Sequence, residues 1–267
     1  MATLAARVLP LPVYGAGWRV VERNYLVYKR AWIVFLTGFL EPVLYLFSIG
    51  IGVADLVNKF ELPDGTMIGY TEFVAPALLA SAAMQGALFD STFNIFFRMK
   101  YAKLYDAILA TPLRPWDVAT GEVTWALLRG TAYSAMFVVV MVALGLTSSW
   151  WTVLTLPAAM LIGFAFAGSG MALTTWMKSW QDFEYIQLVV VPLFLFSGTF
   201  YPIDTYPTWL QRIVEVTPLY QGVVLCRGFA TGSFIVWEML VAIVYLAAMG
   251  TLGMWVASRR LGKLLLR

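Results

Sequence analysis

The stretch that decides the fold is Trp151–Met177, WTVLTLPAAMLIGFAFAGSGMALTTWM, which contains no charged residue. A helix needs roughly 20 apolar residues to cross about 30 Å of hydrocarbon, and this stretch is long enough to do so. Five other stretches are similarly long and apolar. The six predicted spans are 32–54, 73–97, 123–146, 151–177, 185–203 and 234–257. The chain 1–267 is therefore predicted to be a single all-α membrane domain.

The composition supports a bundle embedded in lipid. Hydrophobic residues make up 61% of the chain and charged residues only 12%, whereas a soluble domain is nearer half apolar and a quarter charged. The 11 Trp and 13 Tyr residues suit a chain with several helices anchored at membrane–water boundaries. Cys226 is the single cysteine and His is absent, which excludes an internal disulfide, metal or haem ligation by His, and His-based acid–base catalysis.

Basic residues are distributed unevenly between the two ends of the predicted spans. With the N-terminus in the cytoplasm, most Lys and Arg fall in the N-terminal segment, the loop after span two and the C-terminal tail. Only Lys59, Arg212 and Arg227 fall on the other side, and Arg129 falls within span three. Because cytoplasmic loops carry an excess of Lys and Arg, both termini are predicted to lie inside, in a bacterial inner membrane.

Two segments are predicted to form helices that do not cross the membrane. Residues 15–30 mix aromatic and aliphatic side chains with Arg19, Glu22 and Arg23, a pattern typical of a helix lying in the inner interface. Residues 205–232 carry apolar side chains at helical spacing around Trp209 and Ile213. We expect a short helix on the outer surface there.

The fifth predicted span is interrupted. Pro192, Gly198 and Pro202 fall within it, so we expect a broken helix, which is tolerated in a membrane only where protein or a polar cavity covers the backbone.

The cytosolic loop between spans two and three has helical periodicity over residues 100–111. Thr111-Pro112 and Arg114-Pro115 end the pattern sharply. A short rigid helix presented to the cytosol suits a membrane protein that receives force from a soluble partner. A solvated loop that happens to be helical is the other interpretation.

Four charged residues are predicted to lie within or beside the spans, where charge is costly. Glu41 and Asp90 fall at similar depth, which suggests a shared polar site or a common cation partner such as Arg129. Glu122 and Arg129 lie two turns apart on one face, so that pair is an alternative. Either a polar lining of a transport path or purely structural hydrogen bonding explains the two carboxylates.

Two further side-chain groups have alternative interpretations. Aromatic residues of span five either line a lipid-like groove or face core and lipid: Phe194, Phe196, Phe200 and Tyr201. Small residues of span four form a close-packing stripe that suits internal packing better than a dimer face: Gly163, Ala167, Gly168 and Ala172.

Four segments, in order along the chain, resemble ABC type-2 export permeases. The loop carries Tyr105-Asp-Ala-Ile-Leu-Ala-Thr-Pro-Leu113 and Asp117-Val-Ala-Thr-Gly-Glu122, similar to the coupling-helix region of that family. The first span of the family is similar to Glu41-Pro-Val-Leu-Tyr-Leu-Phe-Ser-Ile-Gly50, and its fifth-span turn is similar to Phe196-Ser-Gly-Thr-Phe-Tyr-Pro202. Its outer helical hairpin is similar to Tyr206-Pro-Thr-Trp-Leu-Gln-Arg-Ile213 followed by Thr217-Pro-Leu-Tyr220. The similarity is greatest to nodulation lipo-oligosaccharide exporter and antibiotic-efflux permeases.

The resemblance implies the membrane half of an ATP-driven exporter that moves an amphiphile such as a glycolipid, lipo-oligosaccharide or hydrophobic drug. Two ATP-binding-cassette subunits would bind ATP and Mg²⁺, because this chain lacks a Gly-x-x-x-x-Gly-Lys-Ser/Thr loop. The chain would thus be neither an enzyme nor a holder of a cofactor or metal. A second permease chain and membrane lipids would be its other partners, with no role for nucleic acid.

By this resemblance, the coupling helix enters a groove of the ATPase subunit, and the 15–30 helix packs beside it. The residues expected to take part in coupling are Lys100, Lys103, Leu104, Tyr105, Asp106, Ile108 and Leu109. The candidate pathway or gate residues are Glu41, Asp90, Arg129, Phe194, Phe196, Phe200 and Tyr201.

Two other classes of function remain as alternatives. A proton- or ion-coupled carrier would use Glu41 and Asp90, but the six spans, the lack of an internal repeat and the absence of His speak against it. A membrane-embedded enzyme would need clustered polar residues near one interface, and the sequence has no such cluster.

Overall fold

The computed structural model describes residues 17–29, 32–53, 57, 60–61 and 65–265. Residues 15, 16 and 30 of the predicted interface helix, residue 54 of the first predicted span, and Lys59 lie outside these ranges. Eleven α-helices occur in the described part: α1 Gly17–Lys29, α2 Trp32–Gly52, α3 Tyr70–Phe89, α4 Ile95–Lys100, α5 Leu104–Leu109, α6 Pro115–Ala143, α7 Thr155–Thr174, α8 Asp182–Phe196, α9 Thr208–Glu215, α10 Pro218–Thr231 and α11 Val236–Leu265.

Shorter elements join these helices. A π-helical turn, Asp90–Asn94, connects α3 to α4, and 3-10 turns occupy Trp150–Leu154 and Ile203–Thr205. A minimal antiparallel hairpin pairs β1, Phe60–Glu61, with β2, Met67–Ile68, so that Phe60 lies opposite Ile68. The part of the chain that the structure describes is thus mostly helical, as the apolar periodicity predicts.

Four helical segments in the described part are long and apolar enough to cross a membrane. These are Tyr70–Lys100, Pro115–Ala143, Trp150–Thr174 and Val236–Leu264, and they correspond to predicted spans two, three, four and six. The predicted first and fifth spans correspond to α2, which contains the shorter apolar stretch Leu40–Ile49, and to α8.

Several predicted boundaries differ from the observed ones for local reasons. Span three is predicted to begin at residue 123, but α6 begins at Pro115 because proline suits the first helical turn and Asp117 accepts the backbone N–H of Arg114 at 3.0 Å. Helix α8, in the fifth predicted span, ends at Phe196, earlier than predicted, because the backbone turns at Gly198, whose φ is +67°. Pro192 lies inside α8 and does not end it.

The core forms around α7, which packs against α3, α6, α10 and α11. All four members of the predicted small-residue stripe are buried: Gly163, Ala167, Gly168 and Ala172. A Cβ on Gly168 would lie 2.5 Å from the carbonyl oxygen of Gly250 on α11, so only glycine permits this approach. The stripe serves internal packing, which in lipid depends on close van der Waals contact.

The segment 205–232, predicted to lie outside, contains the helical pair α9 and α10. Helix α9 has exposed Trp209 and Ile213 and a buried Val214, so it lies on the bundle with an amphipathic face, as predicted. Helix α10 packs against α3, α7 and α11, and its Leu219, Val223 and Cys226 are fully buried. The second helix of the pair is therefore part of the core.

Candidate functional site

The predicted 100–111 helix is shorter in the structure. Lys100 completes α4, and Lys103 adopts a left-handed conformation with φ of 46°, so α5 begins only at Leu104. A non-glycine residue in that conformation interrupts helical hydrogen bonding. The loop is thus a sharp corner followed by a helix of six residues, Leu104–Leu109.

The seven predicted coupling residues separate into three groups. Lys100, Lys103 and Asp106 are exposed. Leu104, Ile108 and Leu109 are half-buried and pack against the core. Tyr105 is 0% exposed. Only the first two groups present side-chain surface that a soluble partner can reach.

Tyr105 fixes α5 to the bundle. Its hydroxyl donates to the carboxylate of Glu122 at 3.1 Å. Burial, with a smaller contribution from the charge of Glu122, raises the pKa of Tyr105 well above its usual value. Because a six-residue helix is not stable by itself, this buried phenol and the neighbouring apolar contacts hold α5 in place. Since its side chain is buried, the part in coupling expected of Tyr105 would be played through contacts within the chain.

Glu122, on α6, is the acceptor for three side chains. Besides Tyr105, Arg98 donates to its Oε2 at 2.5 Å and Asn24 donates to the same oxygen at 3.0 Å. Glu122 is 5% exposed, and a buried carboxylate needs such partners to offset its lost hydration. We call these four residues the Glu122 cluster.

Helix α1 is the observed part of the predicted interface helix. Arg19 and Glu22 are exposed and form an ion pair at 3.2 Å. Arg23 is half-buried and donates to the side-chain oxygen of Asn24 at 3.0 Å. Burial, together with the nearby charge of Arg98, lowers the pKa of Arg23. Trp18, 64% exposed, contributes to an apolar surface that suits a membrane interface.

Two glycines let α1 approach α6. A Cβ on Gly121 would lie 2.5 Å from the carbonyl oxygen of Gly17 and 2.6 Å from Cβ of Val20. Val20 and Val21 are buried in the same contact. The close approach places Asn24 within reach of Glu122, the residue after Gly121.

Asp90 and Arg129 form a buried ion pair between the π turn and α6. Asn94 also donates to Asp90, at 2.8 Å, and the Arg129 guanidinium lies 5.1 Å from the ring centre of Tyr28. The alternative pair, Glu122 with Arg129, is not formed because each residue has another partner.

Glu41 lies apart from Asp90. It is exposed on α2, with Leu40, Leu44, Tyr45 and Ser48, along an open groove of about 480 Å³. A shared site for the two carboxylates is therefore not present within the described part of this chain.

One of the predicted aromatic residues of the fifth span, Phe194, contacts α2. The ring centres of Phe194 and Tyr45 are 6.5 Å apart, and Phe194 contacts Phe200 at 5.2 Å. Phe196 contacts Tyr206 at 6.2 Å, and Tyr201 is exposed. None of the residues of α8, all of which the structure describes, is buried in the single chain. The Tyr45–Phe194 contact thus joins the exposed residues of α2 to α8.

Sequence reasoning missed Asn24 and Arg98, considered Glu122 only as a partner of Arg129, and assigned no role to Arg227. Asn24, Arg98 and Glu122 come from separate elements, and no spacing rule relates them. Arg227 donates to the carbonyl oxygens of Gly198 and Phe73 at 2.7 and 3.3 Å. A basic residue in an apolar helical segment on the outer side was the available signal for Arg227.

Comparison with known proteins agrees with the geometry. Residues 16–229 match the model of the ABC-2 type transporter family. The chain is 35% identical to Nodulation protein J of Rhizobium leguminosarum bv. trifolii over 86% of this chain and 87% of that protein. It is 31% identical to Nodulation protein J of Rhizobium meliloti (strain 1021) over 85% and 86%.

A more distant similarity covers part of the chain. The Probable multidrug ABC transporter permease YbhR of Escherichia coli (strain K12) is 22% identical over 57% of this chain and 42% of its own length. These matches confirm the resemblance noted from the coupling-helix, first-span, fifth-span and outer-hairpin segments. The chain belongs to the ABC-2 type transporter family and is a membrane-spanning permease of that family.

Proposed function

We propose that this chain is the membrane half of an ATP-driven exporter, with both termini in the cytoplasm and six spans that include α2 and α8. Two ATP-binding-cassette subunits would bind ATP and Mg²⁺ and supply the energy. The bacterial inner membrane is the proposed location. The observation that carries the proposal is the corner at residues 100–109, where Lys100, Lys103 and Asp106 are exposed on and just before a short helix that Tyr105 anchors from within.

The proposed contact surface for the ATPase subunit consists of Lys100, Lys103 and Asp106, with Leu104, Ile108 and Leu109 at its base. Exposed charges offer electrostatic complementarity, while the half-buried apolar residues transfer a push to the core against which they pack. Arg19, Glu22 and Arg23 on α1 are proposed as a second surface beside it.

The proposed pathway lies at the open surface between α2 and α8. Glu41, Tyr45 and Phe194 border this surface, and a second permease chain is proposed to cover it. A path that has both a carboxylate and aromatic rings suits an amphiphile with a polar head and an apolar chain, such as a glycolipid, lipo-oligosaccharide or hydrophobic drug. Asp90 and Arg129 are proposed to support the pathway from within the bundle, because they form a buried ion pair with each other.

The coupling proposal is tested by charge reversal. The chain is co-expressed with a candidate ATP-binding-cassette subunit, and Lys103→Glu is compared with Lys178→Glu, an exposed lysine in the other cytosolic loop. We expect Lys103→Glu to weaken co-purification and ATP-dependent movement of a fluorescent lipo-oligosaccharide or hydrophobic dye in inverted vesicles, and Lys178→Glu to leave both unchanged.

The opposite results separate the alternatives. Equal co-purification and transport for both variants would remove the coupling role of this corner. Transport that persists without ATP but stops with a protonophore would support the ion-coupled carrier. The engagement of Asp90 by Arg129 and Asn94 does not favour that carrier.

A further inference from the structure

The Glu122 carboxylate joins four elements at the cytoplasmic side. Tyr105 of α5 donates to Oε1, while Arg98 of α4 and Asn24 of α1 donate to Oε2. Glu122 itself belongs to α6. Each donor therefore comes from a different helix, and the acceptor from a fourth.

Such a cluster resists being pulled apart. Away from water a hydrogen bond to a charged group is stronger than in solvent, and separating one donor leaves a buried carboxylate or guanidinium without its partner. Displacing α5 alone would break the Tyr105 bond. Moving all four helix ends together leaves every bond intact, so joint movement is the less costly response to a push on α5.

The packing next to Glu122 reinforces this connection. Gly121 lies against Gly17 and Val20 of α1 with no room for a side chain, so α1 and α6 are in backbone contact one residue from the carboxylate. The π turn directly precedes α4, the helix of Arg98. In this turn Asp90 pairs with Arg129, which lies on α6 like Glu122. The part-buried pair Arg98–Glu122 and the buried pair Asp90–Arg129 thus connect the α3–α4 segment to α6 at two positions.

We propose that Glu122 is the positioning residue that makes α1, α5 and the cytoplasmic ends of α4 and α6 move as one rigid unit during the transport cycle. This inference rests on the proposed function of α5 as the receiver of force. It adds that the interface helix moves with α5 and that one buried side chain, outside the proposed ATPase contact surfaces, sets how much of the displacement reaches the spans.

The test separates a role of Glu122 in coupling from a role in folding alone. Glu122→Gln keeps the shape but removes the charge, and its NH₂ group cannot accept from the donors. Tyr105→Phe removes a single hydroxyl and serves as the second variant if Glu122→Gln fails to accumulate. Glu122→Asp is the conservative rescue variant, and Glu215→Gln, in the exposed ion pair with Arg212 on α9, is the matched control.

The first measurement is the number of probe molecules transported per ATP hydrolysed, in proteoliposomes that hold the complete complex and a fluorescent lipo-oligosaccharide. We expect a ratio about 10-fold lower for Glu122→Gln and about 3-fold lower for Tyr105→Phe, from the loss of a charged and of a single hydrogen bond. Glu122→Asp should recover part of the ratio, and Glu215→Gln should not change it. A purely structural role would lower transport and ATP hydrolysis in proportion and leave the ratio unchanged.

The second measurement follows the rigid unit itself. Spin labels replace Trp18 on α1 and Asp106 on α5, both exposed, with Cys226 changed to Ser. We expect the same narrow distance distribution with and without trapped ATP when Glu122 is present, and a broad or shifted one in Glu122→Gln. A change of distance in the Glu122 protein on ATP binding, or no difference between the two proteins, would overturn the proposal.

Failure of this inference is distinguishable from failure of the proposed function. If Lys103→Glu abolishes coupling while Glu122→Gln keeps the native ratio, α5 receives force without needing Glu122. If Lys103→Glu has no effect, the coupling role of α5 itself is wrong.

Discussion

The guanidinium of Arg227 donates a 2.7 Å hydrogen bond to the carbonyl oxygen of Gly198. Gly198 is the left-handed residue at which the chain turns after α8, and Arg227 lies on α10. The same guanidinium bonds the carbonyl oxygen of Phe73 and lies 3.7 Å from its ring centre. One side chain therefore holds the broken fifth span to the start of α3.

Arg227→Met should destabilise the chain by about 1–3 kcal/mol, because two backbone carbonyls lose a charged donor. Thermal unfolding of the purified chain in detergent measures the change. Arg212→Met, which breaks an exposed ion pair with Glu215 at 3.3 Å, is the control and should cost less than about 1 kcal/mol. Equal shifts in the two variants would show that Arg227 has no special structural role.

Asp90→Asn should be among the most destabilising substitutions in the bundle. It leaves the buried Arg129 without its carboxylate partner, and breaking a buried pair from one side costs about 3–5 kcal/mol. Asp90→Asn with Arg129→Met removes both charges and should recover a large part of that loss. The same unfolding measurement checks this, and a double variant no more stable than the single one contradicts the pairing.

Gly168→Ala should destabilise the crossing of α7 and α11. The added methyl group would meet the Gly250 carbonyl oxygen at 2.5 Å, and overpacking of this kind costs about 1–3 kcal/mol. Gly130→Ala, on α6 with no atom within 4 Å of the new Cβ, should instead stabilise by about 0.5–1 kcal/mol. Opposite signs in the melting temperatures are the expected result, and a shared sign would contradict it.

The orientation can be tested by cysteine labelling with little background, because the single native cysteine is fully buried. We expect an impermeant maleimide added to cells with a permeable outer membrane to label Trp150→Cys and not Asp106→Cys. Trp150 is 90% exposed at the end of the bundle predicted to face outward. Inverted vesicles should reverse the pattern. Labelling of Asp106→Cys from outside would contradict the cytoplasmic position of α5.

Local patterns predicted the helices well because the spacing and length of apolar runs are properties of a single segment. The stretch 151–177 is realised as a 3-10 turn and α7, and the break near Gly198 is a real turn. The small-residue stripe also followed from one helix face. Its partner, α11, did not, because nothing in span four indicates which helix will approach it.

The pairing of buried charges shows most clearly how far contacts can be predicted from the sequence. Arg129 was among the expected partners of Asp90 because both lie deep in apolar spans, where an unpaired charge is costly. The three donors to Glu122 are far from it in sequence: Asn24 is separated from it by 98 residues, Arg98 by 24 and Tyr105 by 17. The contact of Asn24 with Glu122 depends on the close approach at Gly17 and Gly121, which is made only when α1 lies on α6.

The amino-acid sequence alone determined that the chain is a helical membrane bundle of the ABC-2 type, since hydrophobic length and local motifs act within each segment. Only the tertiary structure decided that Tyr105 faces inward, that Glu41 and Asp90 lie apart, and that Glu122 joins four helices. The physical reason is that buried polar groups must satisfy one another across elements, and the set of neighbours exists only after packing.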